Sequence, residues 1–224
     1  MDLTNILIVI FLHIALVIGS QETSSNEAEQ GPKLLNQKAY AKLFKERRKE
    51  GKDLLQIIKN EGTYERKYKL LEGAYEKLLN ILQQTQHIIQ TSRYDPLVDK
   101  FPPKDVRLFD AITVTLENTC LFGEILIHNP DISYRMLESQ QLGPDWKELI
   151  NWCIKYARQF NDRIIDDKSQ ELLWLIDQEI NPEKRTENYI NPYRSSVHQK
   201  DGTKKQKKAK KLERGPRMVS RDEF

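Results

Sequence analysis

Residues 63–90 read TYERKYKLLEGAYEKLLNILQQTQHIIQ, and within them Tyr64, Tyr68, Leu71, Tyr75, Leu78 and Leu82 follow one another at separations of 4, 3, 4, 3 and 4. Alternating fours and threes keep apolar side chains on one side of a 3.6-residue helix, so the stretch predicts a long amphipathic helix. At about 1.5 Å per residue it would run ~42 Å. A dimeric coiled coil could use such a seam. Fewer than four heptads are present, however, and no second long run continues them, so a helix of an intramolecular bundle is the better reading.

Helical spacing continues on both sides. Toward the amino terminus, Leu34, Leu35, Tyr40, Leu43 and Phe44 give way to Leu54, Leu55, Ile57 and Ile58. Gly51 interrupts this segment and is a place for a bend, since Gly costs ~1 kcal/mol relative to Ala inside a helix. Gly62 supplies a stop and Thr63 a cap for the next helix. Beyond the seam, Pro96, Pro102 and Pro103 mark a loop, after which Val106, Phe109, Ile112, Leu116, Cys120, Gly123 and Ile127 recur at helical intervals. Asn129-Pro130-Asp131 and Gly143-Pro144-Asp145 each have the order of a cap, a first-turn proline and an acid facing the helix dipole. The second precedes Trp146, Leu149, Ile150, Cys153, Tyr156 and Phe160. A last helix carries Leu172, Leu173, Leu175, Ile176 and Ile180 after Asp166-Asp167. The β-branched cluster Ile112-Thr113-Val114-Thr115 could hide a strand, but it lies inside a longer helical period. The expected fold class is all-α, a single bundle of five or six helices over residues 33–193, with a disordered basic tail.

The ends carry a different kind of information. Residues 6–18 are almost entirely aliphatic, too short to span a bilayer comfortably, and are followed by Gly19, Ser20, Gln21 and Glu22. This reads as a cleaved signal peptide over residues 1–20, although residues 1–5 include Asp2 and no Lys or Arg. No later stretch is long enough to cross a membrane. Residues 21–32, rich in Glu, Ser and Gln, form a flexible lead-in. At the other end Arg221, Asp222, Glu223 and Phe224 are close in form to the retrieval address of endoplasmic-reticulum luminal proteins, which a retrieval receptor binds. Together the two ends predict a luminal protein, part of which is secreted.

From Arg194 onward, 11 Lys and Arg face 4 Asp and Glu, a charge of +7, so the overall +3 leaves −4 on residues 1–193. The basicity belongs to the tail of residues 194–224. Its lysines, Lys204 to Lys211, could form a nucleic-acid patch. With a signal peptide in front, a solvated linker that keeps the terminal tetrapeptide accessible is preferred, and no nucleic-acid partner is expected.

A search for chemistry finds little. No two glycines are spaced as G-x-G, and C-x-x-C, H-E-x-x-H and G-x-S-x-G are absent. His87, His128 and His198 are isolated in sequence. No catalytic residue, metal site or cofactor is expected, and a non-enzymatic protein is the reading. Cys120 and Cys153 read as two small buried hydrophobes, with a disulfide between them as the alternative in an oxidising lumen. Trp146, Trp152 and Trp174 read most simply as core, although one at a bundle edge would make a partner anchor. No N-x-S/T sequon is present for glycosylation, and the rare variant Asn118-Thr119-Cys120 lies on a helix expected to be buried.

Three segments carry a resemblance: Leu116-Glu117-Asn118-Thr119-Cys120-Leu121-Phe122-Gly123-Glu124, Trp146-Lys147-Glu148-Leu149-Ile150-Asn151-Trp152, and Arg214-Gly215-Pro216-Arg217. With the order signal peptide, helical body, Lys-rich tail and retrieval-like terminus, they resemble the coiled-coil domain-containing protein 134 family. The resemblance implies a non-enzymatic luminal or secreted helical protein. It implies support of quality control of the endoplasmic-reticulum heat-shock chaperone, by limiting that chaperone's excess glycosylation during translocation. The chaperone and the translocation and glycosylation machinery would be the partners. In secreted form it implies damping of the mitogen-activated kinase pathways, ERK and JNK. Glu117, Asn118, Phe122, Gly123, Trp146 and Trp152 would be structural or partner-binding. The chain departs from the family in lacking a sequon near residues 157–160 and in ending in Phe224 rather than Leu. It has Cys120 where relatives carry a small alanine, so a Cys120–Cys153 bond would be particular to this chain.

Overall fold

Each long helix begins on a side chain suited to the task. Asn36 Oδ1 accepts from the Ala39 amide at 2.9 Å and opens α1, Gln37–Lys59. Thr63 Oγ1 accepts from the Arg66 amide and opens α2, Tyr64–Thr91. Asp105 accepts from the Arg107 and Leu108 amides to open α3, Val106–His128, and Asp166 from the Ser169 amide to open α6, Asp167–Ile180. Such caps satisfy amides that have no partner within the helix, typically at a gain of ~1 kcal/mol each. Between α3 and α6 lie α4, Pro130–Glu138, and α5, Trp146–Arg158, and a single 3-10 turn, Pro182–Lys184, follows α6. The computed structural model describes residues 35–139 and 142–194. The residues read as signal peptide and lead-in, the Lys-rich tail from residue 195 and Arg221, Asp222, Glu223 and Phe224 lie outside the described residues.

The architecture is all-α, with six α-helices and no strand among the described residues, only an isolated bridge between Asn161 and Ile165. The β-branched run 112–115 is helical. α3 is the central element: 17 of its 23 residues are buried, and α1, α2, α4, α5 and α6 all pack against it. A helix apolar on nearly every side is what an interior position demands. Among the described residues no helix is long and apolar enough to cross a membrane.

The seam of α2 is spent inside the molecule. Leu71, Tyr75, Leu78 and Leu82 are fully buried, whereas Tyr64, at the start of the helix, is half exposed. Hydroxyls pin the helices in place along their length. Tyr75 Oη donates to Ser133 Oγ at 2.7 Å, joining α2 to α4, and Thr115 Oγ1 donates to Thr85 Oγ1 at 2.8 Å, joining α3 to α2. An aromatic cluster of Tyr40, Phe101, Phe109 and Phe160 closes the core near the loop that contains the cis Phe101–Pro102 bond.

Local expectations differ from the structure at three places. α1 runs unbroken through Gly51, which is buried where a Cβ would stand 3.4 Å from Leu121 Cδ1. Its smallness serves the packing of α1 on α3 rather than a bend. Asn129 does not cap α4 with its side chain, because its Nδ2 donates back to the Ile125 carbonyl at 3.1 Å. Asp145 likewise makes no side-chain cap bond, and in the turn before it Gly143 has φ of 87°, a conformation that glycine adopts without strain.

Candidate functional site

The segment from Leu116 to Glu124 sits on the innermost helix, and its side chains fan out to different neighbours. Glu117 faces α1 and accepts from Tyr40 Oη at 2.9 Å. Asn118 is buried and donates within its own helix to the Val114 carbonyl at 2.9 Å. Phe122 packs edge-on against Tyr75 of α2, centroids 5.2 Å apart. Gly123 lets α6 approach, with Ile176 directly over it. The two tryptophans lie on α5 and serve other contacts. Trp146 Nε1 donates to the Leu137 carbonyl at 3.2 Å, and Trp152 stacks flat on Tyr156 at 5.1 Å. The six motif residues are therefore a packing hub and two braces rather than one exposed site.

A buried polar centre joins α1, α3 and α6. Arg48 of α1 donates through Nη2 to Glu124 Oε1 and through Nη1 to Ser169 Oγ at 2.7 Å, and lies 3.7 Å from Asp166 Oδ1. Asp166 also accepts from Ser169 Oγ. A cavity of about 30 Å³ borders this network beside Glu117 and Cys120. Such a space holds no more than a water or two. Burial outweighs the Tyr40 hydrogen bond and the nearby Arg47 charge, and raises the Glu117 carboxyl to about 7. Asp166 moves the other way, held below the usual carboxylate range: its bonds from Ser169 and the Arg48 charge together exceed the opposing effect of burial.

Cys120 and Cys153 are both free and buried. Burial pushes each thiol up to about 12, so neither is poised as a thiolate nucleophile. Among the described residues no group of three or more His, Cys, Asp or Glu is arranged to hold a metal ion.

The surface offers features that the helical periods do not reveal. Leu97 and Val98 stand 72% and 80% exposed on the loop between α2 and α3. The loop beneath them is firmly tied. Asp95 Oδ1 accepts from the Leu97 amide at 2.9 Å, the Asp95 carbonyl accepts from the Val98 and Asp99 amides, and Asp99 Oδ2 accepts from the Asp95 amide. Arg163 clamps the turn by donating to the Pro96 carbonyl. Two aliphatic side chains thus project from a preorganised turn, a form in which little conformational entropy remains to be lost on binding. Trp174, expected in the core, is instead 43% exposed on α6, where Tyr189 meets it edge-on at 5.7 Å. It is the edge tryptophan of the three. No sequence period marks Leu97 and Val98, although two aliphatics between Pro96 and Asp99 in a loop were the available signal.

Comparison with known proteins adds the functional context. The family described as "ERK and JNK pathways, inhibitor" matches residues 25–219. Coiled-coil domain-containing protein 134 of Xenopus tropicalis is 26% identical over 156 residues, which cover 69% of this chain and 65% of that protein. The Mus musculus protein of the same name is 25% identical over 178 residues, 79% of this chain and 73% of its own length. The chain thus spans just under two thirds of the frog relative. No solved structure matches.

Proposed function

The chain belongs to the family of ERK and JNK pathway inhibitors, and from that premise we propose that it is a secreted helical protein that damps ERK and JNK signalling by binding a protein partner, without chemistry of its own. The observation that carries this reading is the family match over residues 25–219. A binding role is supported by the tied turn that presents Leu97 and Val98, an exposed apolar pair with little conformational entropy left to lose on contact. The test is to apply purified protein to stimulated cells and follow phosphorylated ERK and JNK. Both fall if the reading is correct, and unchanged phosphorylation at saturating dose refutes it.

A second reading is favoured by Arg221, Asp222, Glu223 and Phe224. A retrieval-like terminus suits a protein held in the endoplasmic-reticulum lumen, where it would support quality control of the heat-shock chaperone and limit that chaperone's excess glycosylation. Deleting these four residues separates the two readings. Release into the medium together with hyperglycosylated chaperone supports the luminal role, and unchanged retention with a normal chaperone opposes it.

A further inference from the structure

Lys52 and Lys59 stand two turns apart on α1, and Lys67 lies at the start of α2. With Leu55, His128 and Tyr193 they line a cavity of about 450 Å³. That volume is of the class that takes small organic ligands. No acidic side chain of the described residues lies within ion-pair distance of the three lysines. His128 Nδ1 is bound to the Glu124 carbonyl oxygen at 2.8 Å, which leaves Nε2 as its remaining polar atom, and its ring stacks on Tyr193 at 3.9 Å. The one carboxylate near that ring, Glu124 at 3.6 Å, is engaged by Arg48.

We propose that this cavity binds a phosphate monoester, its phosphoryl group held by Lys52, Lys59 and Lys67 and its organic substituent resting on Leu55 and the His128–Tyr193 stack. A phosphoryl group carries nearly two negative charges and three strong acceptor oxygens, a match for three ammonium groups that no acidic side chain of the described residues pairs. A single carboxylate has one charge and two oxygens, and would leave two of the three lysines uncompensated where a phosphoryl group leaves one. The stacked rings and Leu55 give the substituent an apolar wall that inorganic phosphate does not need. A free small phosphate and a phosphorylated side chain of another protein present the same chemistry.

Calorimetric titration of the full chain at constant ionic strength tests this with inorganic phosphate, phenyl phosphate, a phosphotyrosine peptide and its unphosphorylated form. Phenyl phosphate or the phosphopeptide binds, and K52Q/K59Q/K67Q weakens binding roughly tenfold or more with an unchanged circular-dichroism melt. Should the triple variant melt earlier, K52Q and K59Q singly give the same comparison. Tyr193→Ala weakens phenyl phosphate and spares inorganic phosphate. Tighter binding of phenyl phosphate points to a free metabolite, and tighter binding of the phosphopeptide to a modified protein. Silence from every phosphorylated probe, equal affinity in the lysine variants, or equally tight binding of citrate overturns the assignment.

Discussion

Gly123 of α3 and Ile176 of α6 are so close that a Cβ on the glycine would stand 2.1 Å from Ile176 Cδ1 and 2.6 Å from its Cγ1. No side chain fits at that distance unless Ile176 leaves its rotamer or the helices move apart. Gly123→Ala is therefore expected to destabilise the fold by about 1–3 kcal/mol, despite the better helix propensity of alanine. Equilibrium urea denaturation measures this, and pairing the change with Ile176→Val should recover part of the loss. A neutral or stabilising Gly123→Ala would show that α3 and α6 pack less closely than described.

Arg48 and Glu124 form a buried ion pair, their side chains 10% and 7% exposed. Removing one partner strands the other charge in the interior. Arg48→Met is expected to cost about 3–5 kcal/mol, whereas Arg48→Met with Glu124→Met costs less than the two single changes added together. A double-mutant cycle by chemical denaturation reads the coupling directly. Simple additivity would mean that the pair contributes nothing specific.

Glu117 sets a dependence of stability on pH. Its carboxyl is raised in the folded protein from 4.5 to about 7, chiefly by burial, so the native state holds a proton that the unfolded chain has released. The folded form is favoured below about pH 4.5 and loses that advantage as pH rises toward 7, by on the order of 3 kcal/mol in full. Glu117→Gln should flatten this part of the profile and be the more stable form at about pH 8, because glutamine can still accept from Tyr40. An unaltered profile in the variant would assign the titration to another group.

Asn118 lies in a sequon-like triplet, Asn118-Thr119-Cys120, yet it is 1% exposed and its amide nitrogen is bonded to the Val114 carbonyl. A glycan there would require α3 to leave the core. Protein made in a secretory host is expected to show no mass at Asn118 beyond the bare polypeptide and no shift on amidase treatment. A glycosylated fraction would have to be unfolded, and protease sensitivity would reveal it.

Much of this fold can be read from spacing, because a helix that buries one face repeats its apolar residues visibly. The 4-3-4-3-4 seam of α2 and the cap Thr63 need no tertiary information. Gly51 misleads as a bend because what holds it is Leu121 of a neighbouring helix, absent from local sequence. Trp174 misleads as core because α6 buries its stripe with Leu172, Leu173, Ile176 and Ile180 and still leaves a large indole at the rim. The site features are the least legible. Arg48 and Glu124 are 76 residues apart, and the three pocket lysines resemble any solvated charges until α1 and α2 bring them together. The exposed pair Leu97 and Val98 has no period at all, since a turn of this length repeats nothing.

The most direct measurement compares purified wild-type protein with Leu97→Ser/Val98→Ser on stimulated cells, reading phosphorylated ERK and JNK over a dose series. Both substitutions replace exposed side chains, so the circular-dichroism melt should stay the same. The wild type is predicted to lower both signals, and the double variant to need roughly tenfold or more protein for the same effect. Equal potency of the two proteins would contradict binding through this turn, and no effect from either would contradict the inhibitory role itself.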